Sequence, residues 1–116
     1  MKILLLLNDP PYGTERSYNA LRLAVSLSKR EGIELHVFLM ADAIGCAMKG
    51  QKTPSGYYNL ERMIRSLVST EIPVGVCGSC ADARGIAERD LLDGVHRSSM
   101  EELTDWTIWA DKTIVF

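Results

Sequence analysis

The chain changes from strand to helix within one stretch, Val74-Gly75-Val76-Cys77-Gly78-Ser79-Cys80-Ala81-Asp82-Ala83-Arg84-Gly85-Ile86. The stretch begins with short apolar residues typical of a strand, breaks at a small polar turn, and continues with a helical pattern. In an open parallel sheet, ligands bind outside the carboxyl ends of the strands, where each strand gives way to a helix. Cys77 and Cys80 lie in that turn. The stretch therefore predicts a parallel sheet and places the candidate site at the end of one of its strands.

Apolar and amphipathic segments alternate along the rest of the chain. Residues 3–7 form a continuous apolar run, typical of a strand buried on both faces. Residues 60–68 place apolar side chains at i, i+3, i+4, i+7 and i+8, the spacing of an amphipathic helix. This alternation predicts right-handed βαβ units, and hence a three-layer α/β/α fold with a mostly parallel sheet of about five strands. The other predicted elements are a helix over 14–30, a short helix capped by Asp42, a helix from Ser98 or Ser99 to Trp109, and strands over 35–40, from Pro73, at Val95-His96 and over 113–116.

Composition and charge narrow the class of protein. A length of 116 residues suits a single domain over residues 1–116, and 47% hydrophobic with 24% charged residues is ordinary for a soluble globule. The net charge of −2 argues against nonspecific binding to nucleic acid or to anionic membranes. The apolar run near the start is too short for a signal-peptide core or a membrane span. Three cysteines without framework spacing argue against a disulfide scaffold, so the sequence predicts a cytoplasmic protein with reduced thiols.

The Cys-x-x-Cys pair is the candidate for chemistry. Free cysteines are often only small buried hydrophobes, but Gly78 and Ser79 keep this turn small and open. The spacing by itself fits a dithiol/disulfide couple of Cys77 and Cys80, half of a zinc site, or one working thiol with a neighbour. A structural zinc site usually needs a second Cys or His pair, so we expect no metal site within one chain and no cofactor. The remaining cysteine and both histidines are unpaired in the sequence: Cys46, His36 and His96.

Residues near the thiols are candidates for supporting roles. A helix that begins after Cys77 offers free N–H groups and a partial positive charge, which lower a cysteine pKa. Arg84 can steady a thiolate or an anionic persulfide, or it can pair with Asp82 or another acid on the surface. The two interpretations of Arg84 are about equally supported by the sequence. Cys46 lies in an apolar helical segment, which favours packing over chemistry.

Short motifs along the whole chain resemble those of a known family. Each motif alone is weak, but together they are specific. The chain is similar to the DsrE/DsrF-like family, nearest its small YchN-type branch, and resembles the related TusB/TusC/TusD sulfur-relay subunits. The motifs are Pro11-Tyr12-Gly13, Phe38-Leu39-Met40-Ala41-Asp42-Ala43, Lys49-Gly50-Gln51-Lys52, Val74-Gly75-Val76-Cys77-Gly78-Ser79-Cys80 through Arg84-Gly85-Ile86, Asp93-Gly94-Val95 and Ala110-Asp111-Lys112.

The resemblance implies a three-layer α/β fold, homo-oligomers (hexamers in the YchN type), and a cysteine on the loop after the third strand. In the relay members this cysteine accepts sulfur as a persulfide from a carrier protein and passes it on. Counted back from Arg84-Gly85, the family cysteine is Cys77. Cys80 is found in the YchN-like branch but is not the relay cysteine, and Cys46 matches no family site.

These observations lead to three functional hypotheses. The first is a cytoplasmic sulfur-transfer protein in which Cys77 accepts and passes on sulfane sulfur, with other copies of itself and sulfur-carrier proteins as partners. The second is a thiol–disulfide redox protein that uses both Cys77 and Cys80. The third is a noncatalytic oligomeric module that binds a small ligand. Aromatic side chains that suit either a subunit interface or the core are Tyr57, Tyr58, Trp106 and Trp109.

Overall fold

A computed structural model describes residues 1–116 as five strands, four α-helices and two 3₁₀ helices. The strands are β1 (Lys2–Leu7), β2 (Glu34–Leu39), β3 (Val74–Cys77), β4 (His96–Ser98) and β5 (Lys112–Val115). The helices are α1 (Arg16–Leu27), α2 (Leu60–Ser69), α3 (Gly78–Ala83) and α4 (Met100–Trp109), with 3₁₀ helices at Ala41–Ala47 and Glu88–Asp90. All strand pairs are parallel, in the order β4-β3-β2-β1-β5. The predicted α/β fold with a parallel sheet is confirmed.

β1 lies inside the sheet, between β2 and β5. Leu5 is opposite Val37 of β2 on one side and opposite Ile114 of β5 on the other. Leu4, Leu5 and Leu7 have no exposed surface. A strand that is buried on both faces needs no alternation of polar and apolar residues, which explains the continuous apolar run in the sequence.

The helices cover the two faces of the sheet unequally. α1, α2 and the first 3₁₀ helix pack on one face, where 21 buried residues form a single cluster. α4 packs on the opposite face, so the fold has three layers with one thin outer layer. None of the helices is both long and apolar enough to cross a membrane. The smaller cluster under α4 has four buried residues: Leu4, Phe38, Cys77 and Leu103.

The predicted interface aromatics are mostly packed within the domain. Trp106 and Trp109 both contact His36, with ring centroids 4.5 and 3.9 Å away. Tyr58 stacks on another tyrosine at a centroid distance of 3.9 Å. Tyr57 is 68% exposed and has room for a partner. Packing inside one chain therefore accounts for three of these four side chains.

Local structure differs from the prediction at one cap and selects one of the two predicted residues at another. The segment Ala41–Ala47 is a 3₁₀ helix preceded by Met40 in an extended conformation, and Asp42 lies in its first turn without capping it. For α4, Ser99 and not Ser98 is the cap, because its hydroxyl accepts a hydrogen bond from the third helical N–H at 3.2 Å. In a short segment between a strand and a loop, tertiary contacts determine the secondary structure more than the segment's own capping residues do.

A glycine fixes the loop that leads into β4. Gly94 has a φ of +89°, in the left-handed region that favours glycine. A Cβ added there would lie 2.2 Å from Cγ1 of Val68 on α2. The backbone of the loop therefore packs directly on α2, and any side chain at this position would push the two apart.

Candidate functional site

β3 ends at Cys77, and the backbone turns there directly into α3. The thiol lies where the sequence placed it, at the carboxyl end of a strand inside a parallel sheet. Cys77 is 8% exposed and packs with Leu4, Phe38 and Leu103 on the face that α4 covers. Because that face has the thinner outer layer, the sulfur lies close to the surface of the domain.

Hydrogen bonds favour the thiolate form of Cys77. Its Sγ is 3.3 Å from the hydroxyl oxygen of Ser79. Burial acts to raise the pKa of Cys77, but hydrogen bonds from the Cys80 thiol, the Ser79 hydroxyl and the backbone N–H groups of both residues outweigh it and lower the pKa. The thiolate is the form that attacks sulfur or carbon electrophiles, and a lowered pKa raises the fraction of thiolate at neutral pH.

The pKa values of the other two cysteines are raised instead. Burial and the hydrogen bond to Cys77 raise the pKa of Cys80, although its Sγ accepts the backbone N–H of Ala41 at 3.3 Å. Burial raises the pKa of Cys46 to about 12, and this side chain has no exposed surface. Of the three thiols, Cys77 is therefore the one whose surroundings favour the thiolate, and Cys46 is a packing residue.

The backbone at Ala41 is turned toward the thiol pair. Ala41 has a φ of +50°, a left-handed conformation that is uncommon for residues other than glycine. Its N–H donates to Cys80 Sγ. Such backbone conformations are retained at functional sites when the surrounding structure compensates for them. Cys80 is thus held by the segment that follows β2 as well as by its own helix.

Arg84 contacts the Cys80 side of the site. Its Nε donates to Asp42 at 2.9 Å, and its Nη1 donates to the carbonyl of Cys80 at 3.1 Å. The sequence left open whether Arg84 pairs with an acid; it pairs with Asp42 and not with Asp82. These contacts tie α3 to the first 3₁₀ helix.

A second arginine packs against the residue that follows Cys77. Arg97 of β4 donates from Nη1 and Nη2 to the two carboxylate oxygens of Asp82, at 2.8 and 2.7 Å. A Cβ added at Gly78 would be 2.7 Å from the guanidinium carbon of Arg97, so this guanidinium packs against the glycine that follows Cys77. The sequence analysis missed Arg97, because only the pairing of β4 with β3 brings it to the site.

A cavity of about 360 Å³ opens beside the thiol. Apolar side chains, hydroxyl groups and one guanidinium line it: Phe38, Met40, Cys77, Gly78, Ser79, Arg97, Ser98, Ser99 and Met100. A larger groove of about 480 Å³ lies between α1 and α2, but no thiol or histidine lines it. The chemistry therefore places the candidate site at the smaller cavity.

The titratable side chains are too dispersed for a metal centre. No three His, Cys, Asp or Glu side chains come close enough together to hold a metal ion. His96 instead bonds to Glu102, which also accepts a hydrogen bond from Ser98 at 2.5 Å. This pair joins α4 to β4 at the edge of the cavity.

The sequence profile of the DsrE/DsrF-like family matches residues 1–116. The chain belongs to the DsrE/DsrF-like family. This finding confirms the resemblance inferred from the motifs, over the whole length of the chain.

Relatives in the DsrE/DsrF-like family include Protein YchN of Escherichia coli, which is 41% identical over 116 residues, 99% of this chain and 98% of YchN. An uncharacterised protein of Methanocaldococcus jannaschii is 34% identical over the full length of both chains. The crystal structure of YchN superposes with a TM-score of 0.93, covering 99% of this chain and 98% of that one. A protein of unknown function from Methanobacterium thermoautotrophicum has a TM-score of 0.76 at 13% identity, over 99% and 98% of the two chains, and shows the fold alone.

We expect the three thiols of this DsrE-like chain to react with an alkylating reagent in a fixed order. Cys77 reacts first and its rate levels off at a lower pH than that of Cys80, because the pKa of Cys77 is lowered and that of Cys80 is raised. Cys46 stays unmodified in the folded protein, since its thiol is buried. Alkylation at a series of pH values, followed by peptide mapping, measures the order. Faster reaction of Cys80 at lower pH would reverse the assignment of the nucleophile.

Proposed function

We propose that this chain carries sulfane sulfur as a persulfide on Cys77. The supporting observation is a thiol with a lowered pKa beside a cavity, in a family linked to sulfur relay. The family supports this type of chemistry, and the geometry of the site supports Cys77 as the residue that carries the sulfur. Persulfide exchange needs reduced thiols, which are the rule in the cytoplasm, and we place the activity there.

The reaction is an exchange of one S–S bond for another. The Cys77 thiolate attacks the outer sulfur of a donor persulfide R–S–SH, the donor S–S bond breaks, and its electron pair leaves with the thiolate R–S⁻. Cys77 then carries an extra sulfur as Cys77–S–SH. An acceptor thiolate attacks that outer sulfur, and the Cys77 thiolate leaves. No oxidant is consumed, and the hydrogen bonds that lower the pKa of Cys77 make it a good leaving group in the second step.

Contact between the two thiols favours a second candidate, a thiol–disulfide redox protein. The Cys80 thiol is near enough to help lower the pKa of Cys77, so its sulfur is well placed to attack a group bound there. With a partner disulfide X–S–S–X as oxidant, Cys77 displaces one X–S⁻ and Cys80 displaces the other, which closes a Cys77–Cys80 disulfide. The cysteine pair is oxidised and the partner disulfide is reduced to two thiols. Attack of Cys80 on a loaded Cys77 would likewise form the disulfide and release sulfide.

Intact mass after incubation with a low-molecular-weight persulfide separates the candidates. Relay predicts a gain of one sulfur in the wild type and in Cys80→Ser, mapped to the peptide that contains Cys77. Redox chemistry predicts a loss of two hydrogens in the wild type and no such loss in Cys80→Ser. An unchanged mass in both proteins would contradict both reactions and favour a noncatalytic ligand-binding module, which the cavity also suits.

We also expect the chain to assemble into a homo-oligomer larger than a dimer. The family resemblance implies that this oligomer is a hexamer. Met100, Ile108 and Val115 are 63%, 79% and 61% exposed, and Met100 also lines the cavity beside Cys77. A second copy seated on these side chains would bury apolar surface and complete the wall of the cavity. Light scattering at micromolar concentration measures the mass. A monomer that persists on concentration would contradict both the assembly and a shared cavity.

A further inference from the structure

The guanidinium of Arg97 lies against the backbone beside the reactive sulfur. A Cβ built at Gly78 would be 2.7 Å from its Cζ and 2.8 Å from its Nε, so the guanidinium occupies the space that a side chain would need. Gly78 directly follows Cys77, and both residues line the cavity together with Arg97. The missing side chain at position 78 therefore lets a permanent cation approach the thiol.

Asp82 orients this cation. Its carboxylate binds both terminal nitrogens of the Arg97 guanidinium, a bidentate geometry that fixes the plane of the group. The atoms nearest to a Cβ built at Gly78 are Cζ, Nε and Nη2, so one face of the guanidinium lies over this glycine. The side chains of Arg97 and Asp82 are 46% and 64% exposed, so water screens the carboxylate and the pairing does not cancel the attraction of Arg97 for a nearby anion.

The rest of the cavity wall suits a large, weakly hydrated anion. Arg97 is the only charged residue among those that line it. The hydroxyl group of Ser79 offers a donor, and Met40 and Met100 offer polarisable apolar surface. Hydrogen bonds to Asp82 raise the pKa of Arg97, and a negative charge on Cys77 raises it further.

We infer that Arg97 is the anion-binding residue of the cavity and that it holds the outer sulfur of the Cys77 persulfide, Cys77–S–S⁻. This role rests on the proposed function. The outer sulfur extends one bond beyond Cys77 Sγ, into the space that Arg97 lines, and a persulfide ionises more readily than a thiol. Arg84, which the sequence offered for the same task, does not line the cavity and instead bonds to Asp42 and to the carbonyl of Cys80.

A pair of alkylating reagents tests the anion site without any persulfide. Iodoacetate carries a carboxylate and iodoacetamide does not, while the Cys77 thiolate displaces iodide from both in the same way. The ratio of the two rates at Cys77, measured by peptide mapping, therefore cancels changes in the thiolate fraction. We expect Arg97→Gln to lower the iodoacetate/iodoacetamide ratio about tenfold, the size expected for one charge-assisted hydrogen bond at a half-exposed position.

Two further variants show whether a lower ratio comes from loss of the anion site or from a general effect of replacing an arginine. Gly78→Ala retains the arginine but displaces its flexible end from the sulfur, so we expect a similar fall in the ratio and no further fall when it is combined with Arg97→Gln. Arg65→Gln removes an arginine that is paired with Glu61 on α2, and is expected to leave the ratio unchanged. The decrease in the ratio caused by Arg97→Gln should also be smaller at high salt, because screening weakens the attraction between the guanidinium and the iodoacetate carboxylate.

The outcomes separate this inference from the proposed function. An equal ratio in the wild type and Arg97→Gln would overturn the role of Arg97, and so would a fall in Arg84→Gln alone. If the wild type takes up no sulfur at Cys77, the proposed function fails while the reagent ratio still decides whether Arg97 binds anions. When both hold, Arg97→Gln should lower the fraction of Cys77 present as persulfide about tenfold at equilibrium with a low-molecular-weight persulfide.

Discussion

Replacing Cys77 with serine is expected to abolish persulfide loading and to leave the domain folded. A serine hydroxyl is not ionised at neutral pH and does not form a persulfide, so the gain of one sulfur should vanish. The side chain is small and lies next to polar partners, the Ser79 hydroxyl and backbone N–H groups, which can also hydrogen-bond an oxygen. We expect the free energy of unfolding to fall by only about 1 kcal/mol. Intact mass and urea denaturation measure the two effects.

Cys80→Ser is the matched control for this substitution, because it removes a thiol from the same turn. It should keep the sulfur on Cys77 and lose the ability to form an internal disulfide. A loss of several kcal/mol on Cys77→Ser would show that the thiol is needed for packing with Leu4 and Phe38. Loading that survives in Cys77→Ser would contradict the assignment of the persulfide to this residue.

Gly94→Ala is expected to cost about 2–4 kcal/mol of the free energy of unfolding, because two penalties add. Alanine is strained at a φ of +89°, and its Cβ would lie 2.2 Å from Cγ1 of Val68. The loop must then move away from α2. A loss of this size is a large part of the stability of an ordinary domain, about 5–15 kcal/mol. Urea denaturation of the wild type and the variant measures it.

Gly85 provides a control position at which an alanine would have the strained backbone conformation but no close contact with a neighbouring side chain. It has a φ of +66°, and a Cβ there would meet nothing within 4 Å, so Gly85→Ala should cost about 1–2 kcal/mol. Val68→Ala removes the methyl group in question and should recover part of the loss when combined with Gly94→Ala. Equal losses for Gly85→Ala and Gly94→Ala would mean that packing on Val68 is not the cause.

The strands and the position of Cys77 follow from local sequence. A continuous apolar run or an amphipathic repeat reports burial directly, so β1 and α2 were predictable within a few residues. Cys77 was predictable because the change from strand to helix is itself a local pattern. These features depend on residues that are neighbours in the chain.

The surroundings of the thiol depend instead on strand order. Arg97 reaches Cys77 only because β4 pairs with β3, and Asp82 is then close enough to orient it. Ala41 reaches Cys80 because β2 ends beside β3, and nothing in an alanine signals a left-handed backbone. Arg84 was identified as a candidate from its place in the helical stretch, but the sequence offered no way to choose Asp42 as its partner.

The position of β5 has a consequence for how the chain acquires its fold. β5 pairs with β1 across a sequence separation of about 110 residues, the longest-range pairing in the sheet, so closing that loop carries the largest entropic cost. Until β5 arrives, β1 has one open edge made of leucine and isoleucine. Unpaired apolar edges are templates for association with other chains. Pairing of β5 with β1 therefore covers an apolar strand edge that would otherwise be open to association with other chains.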